Sequence, residues 1–211
     1  FLARYWGLAG VAGVPGHARW AASGRRHVLG RVRRPRLSRH ARGWVAGRGH
    51  YELGAEVDLR APSDGQRWLG PGWWYTEWHG TWSRRHAAHV VLPLRHPVPD
   101  DLRLDAYVHA PIAPLNRHVE MRVLVGGVEV GTWQMDARDR GGLRQADVPS
   151  RLLTPEAVAV ITFVIDPTMT PADSRLNSDL RQIGIAVASL RLAEATAPPL
   201  GPPPEASPGG V

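Results

Sequence analysis

Five aromatic side chains fall within ten residues of this sequence: Trp73, Trp74, Tyr75, Trp78 and Trp82. Glu77 and His79 stand among them. Indole faces stack on the C–H faces of sugar rings, while a carboxylate or an imidazole bonds hydroxyls. An apolar platform with a few convergent polar groups is how small-molecule sites are built. Trp73, Trp74, Glu77 and Trp78 are therefore candidate glycan contacts. The competing reading packs these indoles inside, Trp73 and Trp74 included, with Trp78 and Trp82 as plugs that close one end of the core. A second polar cluster holds Asn177, Asp179 and Arg181. It either caps a loop through local bonds and an ion pair, or faces the tryptophan segment and binds a polar ligand. Asn116, after the turn containing Pro111 and Pro114, completes the candidate set, although Asn in such a turn often bonds its own backbone.

Catalytic and metal signatures are absent. The sequence has no G-x-S-x-G elbow, no phosphate-binding glycine loop and no H-E-x-x-H zinc motif. His86 and His89 are three apart, a spacing that puts them on opposite faces of a strand. Glycoside hydrolysis needs two carboxylates across a cleft; Glu52, Glu56, Glu77 and Glu120 are available, but spacing alone does not pair them. There is no cysteine, which excludes disulfides and thiolate metal sites. The expectation is no cofactor, no metal and no catalysis by this stretch of chain.

The elements that must position these residues read as strands. Asp101–His109 alternates, with Leu102, Leu104, Ala106 and Val108 on one face and Asp101, Arg103, Asp105, Tyr107 and His109 on the other. Residues 119–125 repeat the pattern. Gly126 and Gly127 follow, then residues 128–135, a strong hairpin signal because glycine tolerates the positive φ of a primed turn. Residues 158–165 are apolar on both faces and β-branched, as in a central strand. Residues 183–192 form the last strand, and 88–94 and 51–59 are weaker ones. The tryptophan segment, with its Gly and Pro residues, reads as a loop entering a strand. Seven or eight strands without regular helices predict an all-β, jelly-roll-like antiparallel sandwich over residues 49–194.

Two flanks differ from this body. Residues 1–50 hold eleven arginines and no acid; residues 51–211 hold fifteen arginines and all nineteen acids, a net charge of −4. The high pI thus belongs to a basic, partly helical leader over residues 1–48, and the body lacks the basic patch of a nucleic-acid binder. Apolar residues among the leader's arginines suit peripheral contact with an anionic membrane face, or the end of an upstream domain. Residues 195–211 contain six prolines and three glycines and are expected to be disordered.

Four segments carry a resemblance. They are Gly72, Trp73, Glu77, Trp78, Gly80, Trp82 and Ser83; Asn116 with the strand after it; the stretch from Val125 through Gly131 to Trp133; and the stretch from Ser178, Asp179 and Arg181 through Gly184 to Ser189. In this order, across about residues 68–193, they resemble the β-sandwich domain appended to bacterial glycosyltransferases and phosphoglycerol-transferase-like proteins of polysaccharide assembly. The segment Arg4, Tyr5, Trp6, Gly7 and Leu8 is similar to the C-terminal end of a family 2 type glycosyltransferase. The resemblance implies a non-catalytic accessory module, binding glycan or scaffolding, beside its own upstream catalytic domain. The expected location is cytoplasmic, with the arginine-rich leader suited to peripheral contact at the inner face of the cell membrane. A purely structural or oligomerising role is the alternative.

Overall fold

The computed structural model describes residues 39–202. Ten strands form two antiparallel sheets: β1 (Val57–Asp58), β2 (Trp73–Glu77), β3 (Gly80–Ser83), β4 (Ala87–Pro93), β5 (Asp101–His109), β6 (His118–Val125), β7 (Val128–Asp136), β8 (Gly141–Pro149), β9 (Val158–Asp166) and β10 (Ala186–Glu194). The order is β2-β3-β10-β5-β8 in one sheet, with β1 also on β10, and β4-β9-β6-β7 in the other. The chain is an all-β sandwich, as its alternation requires.

The apolar faces of both sheets meet in one core. Leu102, Leu104, Leu190 and Leu192 from the first sheet pack with Val90, Met121, Phe163 and Ile165 from the second, all buried. Gly126 and Gly127 have φ of 57° and 84°, closing β6 and β7 with Val125 opposite Val128. Strand β9 is central, paired on both sides, and its buried two-sided pattern follows from that position.

Several elements differ from the sequence expectation, the last strand among them, which runs over Ala186–Glu194 rather than 183–192. The tryptophan segment is a hairpin, β2 and β3 with Trp78 and His79 in the turn, rather than a loop leading into one strand. Strand β8 was not foreseen, and residues 51–59 contribute only the two residues of β1. Residues 195–200, expected to be disordered, instead lie fixed against the larger sheet. The Arg103 guanidinium donates to the carbonyls of Ala195 and Ala197, and the Leu200 amide donates to Asp105. Leu200 is buried. Of the basic leader, the described part holds one helix, α1 (Arg39–Ala46). The arginine cluster before it, and residues 203–211, lie outside the described residues.

Candidate functional site

The outer face of the larger sheet presents the polar positions of β5: Arg103, Asp105, Tyr107 and His109 in alternation. At the His109 end, Ala186 of β10 pairs with both His109 and Trp82. Trp82, Ala186 and His109 therefore stand abreast on three adjacent strands. Over this end folds the long connection between β9 and β10. It is anchored by a bridge between Met169 and Ile183 and by the Ile185 amide donating to Ser83 Oγ at 3.0 Å. A small apolar cluster of Ala113, Met169 and Ile183 lies beneath, with Trp74 and Trp82 against it. The result is a cleft of about 230 Å³ lined by Glu77, His79, Trp82, His109, Arg140 and Arg181 among others.

The hairpin turn is what delivers the polar groups. Gly80 is required there because β3 approaches β10 so closely that a Cβ would lie 2.7 Å from the Val187 carbonyl oxygen. The turn leaves Trp78 exposed, 68% accessible, and Tyr75 beside it at 67%. Glu77 then meets the β9–β10 connection. Arg181 donates from Nη1 to Glu77 Oε1 at 2.6 Å and from Nη2 to Asp179 Oδ2 at 2.7 Å. Its guanidinium also lies 5.2 Å from the Tyr75 ring centroid. These bonds raise the Arg181 pKa far above its ordinary value, Asp179 contributing most. The same contact, with the Arg181 backbone amide, holds the Asp179 carboxyl below the usual range.

His79 packs between Trp78 and Trp82, ring centroids 5.0 and 5.6 Å away, with Nε2 3.5 Å from Glu77 Oε2. Burial lowers its pKa; Glu77 works against that shift and Arg181 with it. His109 lies 6.4 Å from Trp82, and its pKa falls through burial first and then through His79 and Arg140. Both imidazoles are thus neutral at pH 7 and suited to bonding hydroxyls.

The sequence candidates separate cleanly. Glu77, Asp179 and Arg181 converge on the cleft, and Trp78 is exposed beside His79; the reading of Trp78 as a core plug does not hold. Trp82 serves both readings, resting on the small cluster and lining the cleft. Three candidates leave the ligand surface. Trp73 packs edge-on against Phe163 and donates Nε1–H to the His89 carbonyl at 2.7 Å, so its indole belongs to the core. Trp74 donates to the Gln182 carbonyl at 2.9 Å, and Arg84 covers its face at 4.7 Å. Asn116 is buried, donating to the Pro111 carbonyl at 3.0 Å and meeting Met169 Sδ at 3.1 Å, which makes it a clamp on its own turn. His109 and Arg140 were missed. The alternation of β5 places His109 on the outer face, but nothing in its spacing brings Arg140 to it.

Two carboxylates thus face one cleft, but their chemistry is not that of a glycosidase pair. Such a pair needs one carboxyl held protonated near neutrality. Here both accept bonds from a single guanidinium, and Asp179 is pushed toward ionisation. No group of three metal-ligating side chains occurs among the described residues.

No family model matches the chain, and a search of curated proteins finds no match. Among solved structures, dimeric latent PorU from Porphyromonas gingivalis is similar at 11% identity and a TM-score of 0.42, over 69% of this chain and 13% of that one. The carbohydrate-binding module CBM36, solved with calcium and xylotriose, is 12% identical at a TM-score of 0.37, covering 66% of this chain and 99% of its own. A family 35 carbohydrate-binding module from an environmental isolate is 13% identical at 0.36, covering 72% and 91% respectively. Similarity at this level carries no inference about the ligand of this chain.

Proposed function

We propose that this sandwich is a non-catalytic glycan-binding module whose ligand occupies the cleft between the β2–β3 hairpin and the β9–β10 connection. The observation that carries the reading is the convergence of Trp82, Glu77, His79, His109 and Arg181 on one cleft, with the exposed Trp78 packed beside His79. A sugar ring lying on the indoles would bury its C–H face while carboxylate and imidazole groups bond its hydroxyls. The sharing of Arg181 by both carboxylates supports binding over hydrolysis. The context proposed is a bacterial polysaccharide-assembly glycosyltransferase, with the module beside its own catalytic domain. The four sequence segments between residues 68 and 193 support that context. Calorimetry of the whole chain against a panel of bacterial oligosaccharides tests the reading. We expect binding of at least one glycan that Trp78→Ala and Glu77→Gln both weaken; indifference of the wild type to the whole panel contradicts it.

A further inference from the structure

The charges of the cleft are polarised. At the hairpin side, two carboxylates, Glu77 and Asp179, share one guanidinium, that of Arg181. Arg181 spends Nε, Nη1 and Nη2 on them. At the other side stands Arg140, in the turn between β7 and β8. Among the described residues no carboxylate pairs with it, since its neighbour Asp139 is turned to Arg144 at 2.6 Å. Arg140 and His109 both line this side of the cleft, whereas Glu77 and His79 line the other. A neutral sugar would make no use of the charge that the Arg140 guanidinium brings to the cleft. The planar fork of an arginine matches a carboxylate or a phosphate with two parallel bonds.

We propose that the cleft takes an acidic glycan, its carboxylate or phosphate held by Arg140 beside His109 and its sugar ring lying toward Trp82 and Trp78. The proposal rests on the glycan-binding reading above and narrows it to one ligand class. Hydroxyl donors of the same ligand suit the other side, where Glu77 and Asp179 concentrate acceptors.

The test is calorimetry of the whole chain and of Arg140→Gln against three probes: a glucuronate-containing tetrasaccharide, the same tetrasaccharide with its carboxyls reduced, and a phosphomannan fragment. Arg140 is exposed, so the variant keeps the fold, which an unchanged Tm checks. We expect an acidic probe to bind the wild type and to lose roughly tenfold in affinity in the variant. The reduced tetrasaccharide should not distinguish the two proteins. Whichever acidic probe binds identifies the anion. Equal affinity for the parent and the reduced tetrasaccharide, or no effect of Arg140→Gln on an acidic probe, overturns the proposal while leaving glycan binding intact. Failure of all three probes, together with failure of the bacterial oligosaccharide panel, removes the glycan reading itself.

Discussion

Two arginine–carboxylate clusters sit on the outer face of the same sheet, one sealed and one open. In the sealed cluster Asp105 is fully buried and accepts bonds from Arg103, Arg191, Gln145 and the Leu200 amide. Burial alone would raise its pKa, but those donors, led by Arg103 and Arg191, hold it at about 2. Residues 195–200 lie over it, and Arg191 reaches the Pro198 carbonyl as well. In the open cluster Arg181 meets two carboxylates, and a cleft lies beside it. The sealed arrangement spends its hydrogen-bonding capacity on its own chain, so it fastens the C-terminal strap. The open one keeps imidazoles and indoles facing solvent, so it is the one fit to bind.

The largest expected effect falls on the sealed side. Asp105→Ala leaves the partly buried Arg103 and Arg191 without the carboxylate they share, and we expect a loss of about 3 kcal/mol in urea denaturation. A loss below about 1 kcal/mol would show that the cluster is not a fastening.

Acidification sharpens the contrast. His89 is buried in the smaller sheet beside Thr162 Oγ1 at 2.9 Å, and burial lowers its pKa to about 4. The unfolded chain protonates this residue near 6.5 while the folded one resists, so stability is full above that value and falls as the pH drops toward 4. The shift amounts to roughly 3 kcal/mol over that window. Thermal melts between pH 7 and 4 should show the slope, and His89→Gln should flatten it. Loss at Asp105 comes later, as pH falls from about 3.8 toward 2. A single transition at one pH would merge the two and contradict this separation.

Smaller effects belong to the open side, where binding changes and stability does not. Trp78→Ala should weaken glycan binding roughly tenfold while shifting stability by at most about 0.5 kcal/mol. Glu77→Gln still leaves Arg181 its bond to Asp179, so we expect about 1 kcal/mol or less in stability, with a clear loss of affinity. Destabilisation by several kcal/mol in either variant would turn the cleft into another structural cluster.

The strand pattern explains what was legible beforehand. Strand β5 alternates cleanly because one face is core and the other polar, and its bounds, Asp101–His109, coincide with the expectation. Strand β8 was hidden because only Ala146 and Val148 of its residues reach the core; its first half reads Gly, Gly, Leu, Arg, Gln. The tryptophans were assigned by type alone, and a register shift between Trp73 and Thr76 breaks the period of two that would have sorted them. Trp73 turns inward for that reason while Trp78, in the turn, does not. The meeting of Glu77 with Arg181 spans 104 positions and depends on how the β9–β10 connection returns, which no local pattern encodes. The alternation of β5 puts Asp105 on an outer face, and the proline-rich composition of residues 195–200 gives no sign of the strap that covers it.

The most direct measurement is the set of indole N–H resonances during a glycan titration by NMR. The account predicts that the signals of Trp78 and Trp82 move while those of Trp73 and Trp133, bonded to the backbone inside the sandwich, stay fixed. Movement of the interior pair with the signals of Trp78 and Trp82 unchanged would contradict it.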